Sequence, residues 1–255
     1  MTISIRRAYP VMILLTLALT LAGCATTATL PPEQPAMHSV KEFADDEQIL
    51  VNDPWEGFNR SMYKFNYNFD KYVFLPVVNG YEYILPTVAQ TGVSNFFNNI
   101  GEVRTFYNSL LQAKGKKSMT TLGRFVTNTT IGIGGLFDPA TSFGMKRQNE
   151  DFGQTLGVWG VPTGPYLVIP VLGPSTARGA TGFVVDSAAH YAIKNAIGPD
   201  RNLGMSDGLL AGITVLKGID NRHQQPFRYH DSGYVFEYEL VQFLYRQSRE
   251  MQVMK

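Results

Sequence analysis

The sequence is poor in the residues from which small secreted scaffolds and metal sites are built. It has one cysteine, which can form no internal disulfide, so a cross-linked framework is excluded. Its four histidines, His38, His190, His223 and His230, show no metal-ligand spacing, and it has neither a His-Glu-x-x-His helix nor a Gly-x-Ser-x-Gly nucleophile elbow. No metal and no cofactor are expected. Charge of one sign is also lacking, since 22 basic side chains stand against 21 acidic ones. Neutralising nucleic-acid phosphates needs a clustered basic excess, so nucleic acid is not an expected partner. After the N-terminal region no run reaches the roughly 18 uninterrupted apolar residues of a spanning helix. What is present is a globular composition, 44% hydrophobic and 17% charged, with aromatics that fill ordinary cores and also suit contact with something apolar outside.

The lone cysteine has a context of its own. Arg6 and Arg7 precede an apolar run from Val11 to Leu21, which ends in Leu21-Ala22-Gly23-Cys24. A charged start, an apolar run and small residues before a cysteine form a secretion signal whose end resembles the lipobox of bacterial lipoproteins. Residues 1–23 are then removed, and the Cys24 sulfur carries diacylglycerol, with fatty acyl chains such as palmitate holding it to the membrane. Ala25 follows, not the aspartate that commonly retains lipoproteins in the inner membrane, so the expected destination is the outer membrane. Residues 24–47, rich in Ala, Thr and Pro, lack periodicity and read as a flexible tether. Residues 48–255 form the domain.

Helical patterns dominate that domain. Asp53-Pro54-Trp55-Glu56 predicts a helix start with Asp53 as N-cap and Glu56 bonding back to it. Phe58, Met62, Phe65 and Phe69 follow on one face, which reads either as an aromatic core face or as a face bedded in acyl chains or set against a membrane protein. A second helix is predicted over 87–111 with a break at Gly92 or Gly101, and a third carries Met119, Leu122, Phe125 and Val126. Small residues recur from Thr176 to Ile197, so that helix can approach its neighbours closely. Further helices are predicted from about Ser206 and over the last twenty or so residues, where Arg246 and Arg249 suit a helix C-terminus.

Between these halves lies the stretch from Glu150 to Arg178. Prolines 162, 165, 170 and 174 exclude a long helix, while Trp159, Tyr166, Leu167, Val168 and Ile169 are too apolar for a free loop. An irregular buried crossover is expected. Upstream, Asn128-Thr-Thr-Ile-Gly-Ile-Gly-Gly135 is no phosphate loop, because neither the Gly-Lys-Ser/Thr ending nor the dinucleotide glycine spacing is present. Gly132, Gly134 and Gly135 instead permit sharp turns before Phe137-Asp138-Pro139.

With these residues in view the chain resembles the MlaA (VacJ) family of outer-membrane lipoproteins. The matching pieces are Asn52-Asp53-Pro54-Trp55-Glu56-Gly57-Phe58-Asn59-Arg60 with Met62, Phe65 and Asn66; Gly132 to Asp138; and Phe152-Gly153-Gln154-Thr155-Leu156-Gly157 through Gly164-Pro165-Tyr166 to Gly173-Pro174-Ser175-Thr176. They span about residues 50–250. The resemblance implies an all-α fold, a ring-shaped single domain of helices around an amphipathic channel, lying in the periplasmic leaflet of the outer membrane. It also implies a trimeric porin as partner, and phospholipid misplaced in the outer leaflet as cargo. That cargo passes to a soluble periplasmic carrier and an ATP-driven inner-membrane complex, so that outer-membrane lipid asymmetry is maintained. The family's hairpin loop corresponds to about Ile131–Phe152. Its channel and hinge residues are then Gly132, Gly134, Gly135, Phe137, Met145 and Phe152, with Lys146 and Arg147 as candidates for head-group contact. Two positions depart from the family: Gly179 where an aspartate is usual, and Gln242 where an arginine is expected.

Lipid transfer of this kind needs no covalent chemistry, so no enzyme is expected. Two alternatives stand beside it. One is a phospholipase with a dispersed triad around His223, His230 and Asp231. The other is a structural lipoprotein joining outer membrane to cell wall.

Overall fold

The computed structural model describes residues 53–197 and 206–255, all within the unit Met37–Lys255. The signal, the tether, Cys24 and the Gly198-Pro199 stop lie outside the described residues. The elements in order are α1 Glu56–Phe69, a π-helical stretch Asp70–Phe74, α2 Leu75–Ile84, α3 Thr87–Leu111, α4 Gly115–Thr130, α5 Pro139–Ser142, α6 Phe152–Val158, β1 Tyr166–Ile169, β2 Gly173–Thr176, α7 Ala177–Ile197, α8 Asp207–His223 and α9 Glu237–Met254. The described chain is thus predominantly helical.

The start of α1 lies two residues beyond the predicted cap. Trp55 is the cap residue, and Asp53 Oδ1 accepts from the Trp55 N–H at 3.1 Å. Glu56 turns to Arg60 instead of back to residue 53. The helix passes Pro76 without ending because the five π-helical residues change the hydrogen-bond register, Leu75 N–H bonding to Asp70 O. This loosened turn accommodates a ring that lacks a donor and crowds the carbonyl one turn back. Asp70, buried there, takes both arms of the Arg222 guanidinium at 2.5 and 2.7 Å and ties α8 to this turn. α3 runs unbroken through Gly92 and Gly101, contrary to expectation. An isolated helical glycine costs about 1 kcal/mol, which tertiary contacts override.

The crossover is not irregular. β1 and β2 pair antiparallel, Tyr166 opposite Thr176 and Ile169 opposite Gly173, and β1's backbone is also met by two asparagines of α1. Asn59 Nδ2 donates to Tyr166 O at 3.0 Å while its Oδ1 accepts from Val168 N at 2.8 Å. Asn66 repeats the arrangement two helical turns later, with Ile169 O at 3.0 Å and Val171 N at 2.7 Å. Side-chain amides thus satisfy a strand edge that no third strand covers. A cluster of Tyr63, Tyr166, Val168 and Tyr238 packs against this join.

The buried faces are opposite to those the apolar stripes predict. Among the described residues eight hydrophobic side chains are buried, against twenty-four polar or charged ones. In α1 the buried side chains are Asn59, Tyr63 and Asn66, whereas Phe58 and Phe65 are exposed and Met62 packs half-buried on the tyrosine cluster, so the reading of that stripe as a core face holds only in part. α4 buries Ser118, Thr121, Arg124 and Asn128 and exposes Met119, at 66%, with Leu122 and Val126. α3 buries Asn99, Glu102, Thr105, Asn108 and Ser109 along with Phe97, and leaves Val88 79% exposed. No helix among the described residues is long and apolar enough to cross a membrane.

Candidate site around the 131–152 segment

The segment after α4 is held from one buried side chain. Arg124 Nε donates to Glu102 Oε1 of α3 at 2.7 Å, Nη2 to Asp138 Oδ2 at 3.0 Å, and Nη1 to Thr141 Oγ1 at 3.0 Å and Met145 O at 2.5 Å. Asp138 caps α5 through Thr141 N and also accepts from Asn128 Nδ2. Burial opposes its charge, but hydrogen bonds from Thr141, Arg124 and Asn128 prevail and hold its pKa at about 2. The other end of the segment is anchored at Asp186 of α7, which accepts from Phe152 N at 2.9 Å, from Tyr107 OH at 2.6 Å and from Asn108 Nδ2 at 3.0 Å.

The three glycines occupy one turn in different ways. Gly132 has an ordinary backbone conformation, but a Cβ there lies 2.4 Å from both Asn128 O and Phe137 O. Gly135, at φ 93°, leaves no room beside the Asn99 side chain, 2.7 Å from a built Cβ. Gly134, at φ 68°, faces open space. Around this turn Ile131, Ile133, Leu136 and Phe137 are exposed. Met145 is half-buried with its sulfur against Gly123. Phe152 stacks edge-on against Trp159 at 5.7 Å, at the Asp186 end of the segment and away from the glycine turn in sequence. Lys146 and Arg147 are exposed between Met145 and the half-buried Gln148.

Sequence reasoning missed Arg124 and Asp138 as the strap of this segment. The available signal was the spacing of Ser118, Thr121, Arg124 and Asn128 on one face of α4, but such a polar stripe ordinarily marks the solvated side. It also assigned Arg249 to a helix end. Arg249 instead forms a two-armed pair with Asp151, both contacts at 2.7 Å, and Asp151 caps α6 through Gln154 N. His223 contacts Glu82, and His230 lies against Tyr67 and Glu237. These are separate surroundings.

The family model described as MlaA lipoprotein matches residues 51–252. The chain belongs to the MlaA family. The intermembrane phospholipid transport system lipoprotein MlaA of Haemophilus influenzae (strain ATCC 51907 / DSM 11121 / KW20 / Rd) is 38% identical over 158 residues, 60% of this chain and 63% of that protein. Its counterpart in Shigella flexneri is 39% identical over 208 residues, 80% of this chain and 72% of the relative. A solved structure, from work on the structural basis for maintenance of bacterial outer membrane lipid asymmetry, superposes with a TM-score of 0.61 at 32% identity, covering 79% of this chain and 99% of the other. The first curated relatives are matched over 57 to 63% of their own lengths.

The MlaA motif residues find physical roles here. Asn59 and Asn66 hold β1. Gly153 of Phe-Gly-Gln-Thr-Leu-Gly meets Gly182 of α7, where a built Cβ lies 2.2 Å from Gly153 N, so α6 and α7 touch backbone to backbone through small residues. At the two positions expected to depart from the family, Gly179 has Ser175 Oγ, Thr176 Oγ1 and Tyr245 OH within 3.4 Å of a built Cβ. Gln242 is 1% exposed with no partner for its Nε2.

Proposed function

We propose that the chain is a lipid-anchored outer-membrane component of a phospholipid transport system. It takes phospholipid misplaced in the outer leaflet and passes it to a soluble periplasmic carrier, which maintains lipid asymmetry. The observation that carries this reading is the inversion of its faces. Exposed Phe58, Phe65, Val88, Met119, Ile133, Phe143, Val184 and Tyr191 suit an apolar surrounding, while the polar side chains turn toward one another. The names of the MlaA relatives support the same cargo and a role that is not enzymatic.

In this reading Cys24 carries the acyl anchor in the periplasmic leaflet, and a trimeric porin is the partner that seats the helices there. The helices surround a passage with a wet wall for the head group and an apolar path for the tails. Transfer is then a matter of relative stability in two environments, with no bond made or broken. Gly132, Gly134 and Gly135 shape the turn at its mouth, with Gly134 the position free to move and Gly132 and Gly135 packed. Phe137, Met145 and Phe152 offer the apolar path, and Lys146 and Arg147 offer charge to the head group.

The test is made in cells lacking the gene and complemented with wild-type chain or with Gly134→Trp. Outer-leaflet aminophospholipid is read with an impermeant amine label. Complementation is expected to clear the label, and the variant to clear it less while folding normally. The wild-type chain is also expected to co-purify with a porin and to release no fatty acid from phospholipid. Label at the same level with and without the chain, or fatty-acid release by the pure protein, overturns the reading.

A further inference from the structure

Three consecutive residues at the foot of the 131–152 segment are bound to three different parts of the fold. Glu150, 2% exposed, accepts from Lys117 Nζ of α4 at 2.5 Å and from Nε2 of Gln112, the cap of α3, at 3.1 Å. Asp151 takes both arms of Arg249 of α9, and Phe152 N donates to Asp186 of α7. Upstream, Met145 O is held by Arg124. Between these fixed points Lys146, Arg147 and Asn149 are exposed, Asn149 reached by Arg104 at 2.9 Å. Gly144, just ahead of Met145, has φ 81° and open space around it. The placement of this short span is therefore decided at its two ends.

α9 meets the foot with its last turn. Gln252 Oε1 lies 3.4 Å from Gln154 Nε2, Glu250 accepts from Arg178 Nη2 at 3.4 Å and from Thr163 Oγ1, and Val253 lies against Gly157. α6 has only seven residues, too few for a free helix, so it takes its position from what it touches. A two-armed guanidinium–carboxylate bond fixes angle as well as distance, and Arg249–Asp151 stands where the span joins α6. The opposite end of α9 is fixed as well. Tyr63 OH donates to Glu237 at 2.5 Å, Tyr238 OH donates to Asp53, and Arg60 pairs with Glu239. From Tyr238 to Arg249 the helix covers about 16 Å, a bar from the entry of α1 to the foot of the segment.

We infer that Arg249 is a positioning residue for lipid transfer: acting through Asp151, it fixes the foot of the span that carries Lys146 and Arg147. The inference rests on the transport reading and makes the seating of α9 the control on that span. Arg249 itself touches no lipid in this scheme.

Amide exchange and melting are measured on the full chain in mild detergent, and outer-leaflet aminophospholipid with the impermeant amine label in cells lacking the gene. Arg249→Gln is expected to quicken exchange at the Phe152 and Gln154 amides about tenfold, the worth of one charge-assisted hydrogen bond, and to slow clearance of the label. Arg249→Lys keeps the charge and one arm and should recover part of both. Val253→Ala loosens the same turn at Gly157 without touching Asp151. It should lower the melting temperature yet clear the label as the wild type does. Wild-type clearance in Arg249→Gln overturns the inference and leaves the transport reading intact, whether or not exchange has quickened. Equal loss of clearance in Arg249→Gln and Val253→Ala also overturns it, in favour of a merely structural role. Should Arg249→Gln not fold, Arg249→Lys carries the test, and quickened exchange beside wild-type clearance overturns the inference. Label at the same level with and without the wild-type chain overturns the transport reading, and exchange in the variants then still decides whether Arg249 holds the foot.

Discussion

Arg124 Nε donates to Glu102 Oε1 at 2.7 Å between α4 and α3, with the two side chains 2% and 1% exposed. Burial pushes the Glu102 carboxyl above its ordinary range in spite of its partner, and its second oxygen has no hydrogen bond. Breaking such a pair leaves an uncompensated buried charge. Arg124→Met is expected to lower unfolding stability by about 3–5 kcal/mol, and adding Glu102→Leu to restore much of it. Denaturant unfolding in detergent checks both. A double variant no more stable than the single refutes the pair as the source of the loss.

Asp138 gives the segment a dependence on acid. Its folded pKa is about 2, below the ordinary aspartate value of about 3.8. Its contribution is therefore fully present above the unfolded value and is lost as pH falls through the folded one. The shift corresponds to at most about 2 kcal/mol, reduced by solvent screening. Hydrogen exchange at the Thr141 amide should quicken as pH is taken from about 4 to about 2, after correction for intrinsic rates. In Asp138→Asn that pH step should disappear.

The asparagine ladder predicts a local opening. Asn59→Ala removes a donor and an acceptor at once and leaves Tyr166 O and Val168 N buried without partners, at a cost of about 2–4 kcal/mol. Asn59→Asp should be nearly as damaging, because its oxygen meets the Tyr166 carbonyl. Amide exchange at Val168 should rise in Asn59→Ala and at Val171 in Asn66→Ala. If both amides remain as protected as in the wild type, the side chains are not what holds β1.

The glycine turn predicts a graded series. Gly134→Ala meets no atom and should cost about 1 kcal/mol for its left-handed backbone alone. Gly132→Ala and Gly135→Ala must displace Phe137 O or Asn99 and should cost about 2–3 kcal/mol or more. Thermal melts of the three single variants rank them. Equal losses at all three positions contradict the geometry.

Helices were legible in the sequence because their period survives whichever face is buried. The helix beginning at about Ser206 and the extent of the one over 87–111, though not its expected break, were legible for that reason. Which face turns inward was not legible, since an apolar stripe such as Met119, Leu122 and Val126 has the same period whether it meets a core or a lipid. The β1–β2 pair was hidden by Pro170 and Pro174, which argue against strand until the asparagines that satisfy the other edge are known. Lys146 and Arg147 could be named because they are adjacent in a loop. The Arg249–Asp151 pair could not, because 98 positions separate them and only the tertiary fold brings them together.

The outward-facing phenylalanines, valines and methionines bear on how the chain travels before it reaches its seat. Apolar patches of this kind favour adhesion between molecules in water. On the proposed membrane seat, the polypeptide therefore needs an escort in transit until those patches are covered.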